Sequence, residues 1–151
     1  MFDSRLTASR IFRGVNEFRE AYHAALQPLC RETALPPPAV DILMFFANNP
    51  GYPTARDVCD CRGLKPGIVS VHVDKLVQAG LLERQSVPGD RRKTRLLCTK
   101  QAEPIIQKGR ALQEAFAARL MQGLSEAEVA QLCTTLHTMG QNLREVHAHG
   151  L

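Results

Sequence analysis

Over residues 4–29 the apolar positions Ile11, Val15, Phe18, Tyr22, Ala25 or Leu26, and Leu29 recur every three or four residues, with charge between them. Such spacing lays one apolar stripe along an α-helix. It predicts a long amphipathic first helix, capped by Asp3 or Ser4 and ended before Pro36-Pro37-Pro38. Proline breaks a helix interior yet suits a first turn, so Pro38 can open a second helix over 39–47. That stretch is apolar all round apart from Asp41, which predicts burial. Asn48-Asn49-Pro50-Gly51 stops it.

Thr54 with Asp57 three residues on reads as an N-cap for a short third helix reaching about Cys61. Arg62-Gly63 is a turn, and Lys65-Pro66 opens a fourth helix with an inner face of Val69, Val73, Leu76 and Val77, ended by Gly80. Two short helices about a tight glycine-containing turn predict a helix-turn-helix. Two short strands follow, 81–86 and 94–98, with 87–93 as a loop between them. Thr99 caps a fifth helix that either starts late or kinks at Pro104, with a stripe of Ile105, Leu112, Phe116 and Leu120 running to about Met121. Ser125 and Glu128 form a capping box for a sixth, whose Val129, Leu132, Leu136, Met139, Leu143 and Val146 suit helix-on-helix packing.

Composition adds bounds. A chain of 151 residues, 44% hydrophobic and 23% charged, is globular and buries its own core. The net charge is only +4, but residues 80–100 hold six basic side chains against two acidic ones, and the remaining 13 of each sign cancel. Concentrated positive charge is the footprint of a polyanion binder. The first residues carry no apolar run fit for a signal peptide, and the longest uninterrupted apolar stretch, 42–47, is far too short to span a bilayer. Five cysteines at irregular spacing predict reduced, mostly packed thiols in a cytoplasmic protein.

The order helix, helix, helix, hairpin is that of a winged helix-turn-helix, a mainly α fold with a small β-hairpin. Its recognition helix enters the major groove of DNA, and its charged hairpin reaches the narrow, negative minor groove. The residues also resemble the MarR family of bacterial transcription regulators. The resemblance lies in the run Val69-Ser70-Val71-His72-Val73-Asp74-Lys75-Leu76, in Ala79-Gly80-Leu81-Leu82-Glu83-Arg84, in the wing signature Asp90-Arg91-Arg92, and in Cys98-Thr99. It implies one MarR-like domain, with 1–34 and 101–151 as dimerisation helices and 35–100 as the DNA-binding region. It also implies a homodimer on a pseudo-palindromic operator, acting as a ligand-responsive repressor. Carried over, Arg92 would enter the minor groove, Asp90 would orient the wing by pairing with a neighbouring basic side chain, and Arg91 and Lys93 would touch phosphates. Lys65, Ser70 and Lys75 would lie on or near the DNA side of the recognition helix, with a secondary phosphate contact near Thr54. Val71 stands where the family often has arginine. It can touch a thymine methyl but cannot read guanine by hydrogen bonding. His72, at a usually apolar position, is expected to be a partly buried packing residue.

In the family, ligands commonly occupy the crevice between dimerisation helices and winged domain. Phe18, Tyr22, Phe46 and Phe116 are expected to line it, for an aromatic or phenolic effector, or else to be plain core. Competing readings are a thiol-based redox sensor of the same fold, through Cys61 if exposed, and a winged-helix interaction module without DNA binding. Cys59 and Cys98 fall at positions expected to be buried. A metal site is not expected: Cys30 and Asp41 are isolated candidates, Gln107 and Lys108 are not ligands, and His147 and His149 belong to an expected frayed tail. No cofactor is expected, and no motif gathers a nucleophile with a base, so an enzyme is not either.

Overall fold

The computed structural model describes residues 6–151, in two compact units, the first ending at Phe116 and the second running from Ala117 to Leu151. In chain order the elements are α1 (Ala8–Ala25), α2 (Gln27–Thr33), α3 (Pro37–Asn48), α4 (Ala55–Arg62), α5 (Pro66–Gln78), β1 (Leu82–Val87), β2 (Asp90–Cys98), a 3-10 turn (Lys100–Ala102), α6 (Glu103–Leu120) and α7 (Glu126–His149).

The expected first helix is interrupted at Leu26 and runs on to Thr33. Pro28 causes the break, because it has no N–H to give to the carbonyl four residues back. The flanking turns stay closed, through Leu26 N–H to the Tyr22 carbonyl at 3.2 Å and Cys30 N–H to the Leu26 carbonyl at 3.1 Å. The observed N-cap is Thr7, whose hydroxyl accepts from the Arg10 N–H at 3.3 Å. Asp3 and Ser4 lie outside the described residues.

Helix α3 is the centre of the first unit: every residue from Ala39 to Phe46 is buried. Around it pack Leu26 and Leu29, Val58 of α4, Val69, Val73 and Leu76 of α5, Leu82 and Leu96 of the hairpin, and Ile106 of α6. Each fully buried leucine or isoleucine stabilises this core by roughly 1.5–3 kcal/mol relative to exposure. Asp41 is the buried exception, and its carboxylate takes two bonds from Arg62, at 3.0 and 3.4 Å. The Arg62 guanidinium also lies 5.2 Å from the centre of the Phe45 ring. The hairpin is fixed to the core by a main-chain bond from Leu96 N–H to the Pro53 carbonyl at 2.8 Å.

The expected loop 87–93 is shorter than predicted. Pro88-Gly89 alone makes the turn, with Gly89 at φ 84°, a left-handed conformation natural to glycine. Residues 91–93 lie in β2, yet not in a regular ladder. Asp90 pairs with Val87 and Thr94 with Ser86, so Arg91, Arg92 and Lys93 occupy an irregularity of the longer strand. Bulged residues twist a strand and redirect its side chains. Near Pro104 the chain solves the helix start by a 3-10 turn, capped by Thr99, before α6 begins at Glu103.

In the second unit Ser125 and Glu128 form the predicted capping box, with the Ser125 hydroxyl accepting from the Glu128 N–H and the Glu128 carboxylate from the Ser125 N–H. Helix α7 continues through His149, so His147 and His149 belong to its last turn and not to a frayed tail. No side chain of α7 is buried, and Leu136 and Leu143 are 56% and 66% exposed. Among the described residues, no helix is long and apolar enough to cross a membrane.

Candidate nucleic-acid interface

The geometry of the interface begins with two caps. Thr54 opens α4 through a capping box with Asp57, their side-chain oxygens 2.7 Å apart and the Asp57 N–H donating to the Thr54 hydroxyl at 3.2 Å. The Thr54 hydroxyl is thereby committed to the helix end. Gly63, at φ 63°, closes α4 and lets the chain turn into α5, which starts with Lys65 as N-cap and Pro66 in its first turn. Helix α5 buries Val69, Val73 and Leu76 and exposes Ile68, Ser70, Val71, Asp74 and Lys75. His72 lies partly buried, as expected, with its Nδ1 shielded and without a hydrogen-bond partner among the described residues. Burial, and next the charge of Lys75, lower its pKa.

Helix and hairpin are tied by an ion pair between Asp74 of α5 and Arg84 of β1. One of the six basic side chains of residues 80–100 is thus neutralised locally. Arg91, Arg92, Lys93 and Arg95 are all exposed and, among the described residues, pair with no carboxylate. The expected pairing of Asp90 with a basic side chain does not form. Its carboxylate instead accepts the backbone N–H of Arg92 at 3.0 Å, an Asx turn that fixes the chain beneath Arg91 and Arg92. A row of cations on a backbone so held can meet phosphates without first shedding carboxylate partners.

Three of the four candidate effector residues come together. The Phe116 ring sits 5.4 Å from Phe18 and 5.5 Å from Tyr22, both edge-on. The Tyr22 hydroxyl accepts from Gln113 at 2.7 Å, and burial raises the phenol's pKa. Phe46 is not with them: it is buried in α3 and packs against Phe45 at 5.6 Å. Two clefts, of about 540 and 340 Å³, are lined by residues other than these four.

The thiols divide by environment. Cys30 is buried, and burial pushes both it and Cys98 above the ordinary thiol range. Cys59 and Cys98 are partly buried; Cys61 and Cys133 are exposed. Among the described residues no group of three or more His, Cys, Asp or Glu side chains could hold a metal. Sequence reasoning missed four ion pairs among the described residues: Asp41–Arg62, Asp74–Arg84, Glu32–Lys108 at 2.6 Å and Arg56–Asp60 at 3.8 Å. The second carries a sequence signal in opposite charges on adjoining elements, and the fourth in opposite charges four residues apart on α4.

Comparison with known proteins agrees with this geometry. A sequence profile described as MarR family matches residues 35–93, from two residues before α3 to the cations of β2. The fold is similar to a MarR protein from Peptoclostridium difficile, at 16% identity and TM-score 0.78, covering 96% of this chain and 94% of that one. It is similar to apo wild-type MarR from E. coli, at 20% identity and TM-score 0.66, covering 89% and 96%. It also resembles CouR from Rhodococcus jostii RHA1 bound to p-coumaroyl-CoA, at 25% identity and TM-score 0.69, covering 85% and 87%.

Proposed function

We propose that the chain is a MarR-family winged-helix regulator, a repressor that binds a pseudo-palindromic DNA operator as a homodimer and releases it when a small aromatic ligand binds; the family match over residues 35–93 and the likeness of fold support this reading. The observation that carries the DNA-binding reading is the run of exposed cations Arg91, Arg92 and Lys93, held by Asp90 on the hairpin that Arg84 ties to Asp74 of α5. In this reading Arg92 enters the minor groove, and Arg91 and Lys93 meet flanking phosphates. Ser70, Val71 and Lys75 face the major groove, while Lys65 and the Thr54 end of α4 approach the backbone.

Dimerisation is supported by apolar side chains that one copy leaves in water. On α1, Ile11, Phe12, Val15 and Phe18 are 40–72% exposed; on α7, Leu136, Met139, Leu143 and Val146 are 37–66% exposed. Stripes of this kind are rare on monomeric surfaces and mark interfaces. The ligand reading rests on the Phe18–Tyr22–Phe116 cluster and on the aromatic acyl thioester bound by CouR. A thiol-sensing regulator would have to act through exposed Cys61 or Cys133, because burial raises the pKa of Cys30 and Cys98.

Selection of bound fragments from genomic DNA tests the proposal and supplies the operator. The expected product is a near-palindrome whose half-sites are centred one duplex turn apart. Recovery of no enriched sequence would reject the function. Melting of the protein with a panel of aromatic acids and thioesters tests the ligand, and no shift with any of them removes that part.

A further inference from the structure

The outward line of α5 is poor in groups that hydrogen-bond to bases. Val71 stands about half a turn round the helix from the buried stripe of Val69, Val73 and Leu76. One turn earlier on that line is Gly67, where a Cβ would meet nothing within 4 Å. Ile68 and Val71 are 45% and 53% exposed. From Pro66 to Lys75 there is no Arg, Asn or Gln, so Lys75 alone remains of the residues that make bidentate bonds to purines. Asp74 is occupied by Arg84, and the shielded Nδ1 of His72 faces away from solvent. What remains outward is bare backbone at Gly67, two branched apolar side chains, the small hydroxyl of Ser70 and the cation of Lys75.

Only one group on a base edge in the major groove is apolar, the C5-methyl of thymine. We infer that Ile68 and Val71 set the operator preference of this protein by packing against thymine methyls, with Gly67 allowing the helix to approach closely enough for them to touch. The inference rests on the DNA-binding reading above. Cationic residues of the wing supply affinity that is blind to sequence, and the apolar pair adds the discrimination. The bases read are therefore chosen by shape and methylation more than by hydrogen-bond pattern.

The test uses the full-length protein and the duplex recovered by selection, with thymines replaced one at a time by deoxyuridine, which removes the methyl alone. Loss of one buried methyl is worth about a fourfold drop in affinity, or roughly sixteenfold when both half-sites lose it. Val71→Ala and Ile68→Ala, both exposed positions, should bind the thymine duplex more weakly and lose the deoxyuridine penalty at the thymine each one touches. Three results would overturn the inference while leaving DNA binding intact: a selected site without thymines under the helix, equal affinity for every deoxyuridine duplex, or an undiminished penalty in both variants. Absence of binding to any duplex in dilute salt overturns the inference and the DNA-binding reading together.

Discussion

Ala34 ends α2 at φ 55°, the left-handed conformation in which a Cβ crowds its own carbonyl at a cost of about 1–2 kcal/mol. Ala34→Gly should remove that strain, less the greater freedom glycine has when unfolded, for a net gain of about 0.5–1 kcal/mol. A rise in the urea midpoint at unchanged slope would record it. The thiols give a second prediction at this scale. Exposed Cys61 and Cys133 should react with iodoacetamide at neutral pH well before Cys30, whose burial shields it and raises its pKa. Mass mapping of the first label would check the order, and early labelling of Cys30 would reopen a redox role. At the same scale, sequence reading has a clear limit. Thr54 with Asp57 and Ser125 with Glu128 are legible because each box closes within four residues. Asp41 and Arg62 meet across 21 positions of chain, so only the fold makes them a pair.

Among the elements, the wing carries the sharpest consequence. Its three central cations sit in an irregular stretch of β2 above an Asx turn, so their placement depends on backbone bonds as well as on charge. Arg92→Ala should weaken binding several-fold to specific and non-specific duplexes alike and lower the salt slope by about 1 for each phosphate left without its cation. Fluorescence anisotropy against operator and unrelated duplexes would show it, and unchanged affinity would remove Arg92 from the interface. The existence and order of these elements can be read from periodicity and caps. Their edges cannot. Pro28 kinks a stripe that looks continuous, because the pattern of apolar residues does not register a missing N–H. Arg91, Arg92 and Lys93 read as loop by polarity, whereas strand assignment follows main-chain bonds.

For the molecule as a whole, the amphipathic stripes of the first and last helices are plain in the sequence, but what covers them is not written in a single chain. The apolar faces of α1 and α7 are left to water in one copy. The protein should therefore sediment as a dimer at micromolar concentration, with a melting temperature that rises with protein concentration. A monomer with a concentration-independent melt would contradict this. Two-fold symmetry also bears on the DNA claim, since a dimer presents two wings and two recognition helices to one duplex.

The salt dependence of duplex binding is the most direct examination of that claim. With about four phosphates neutralised by each subunit, log affinity against log salt should fall with a slope of about −7. A slope near zero, or no binding in dilute buffer, would contradict the account.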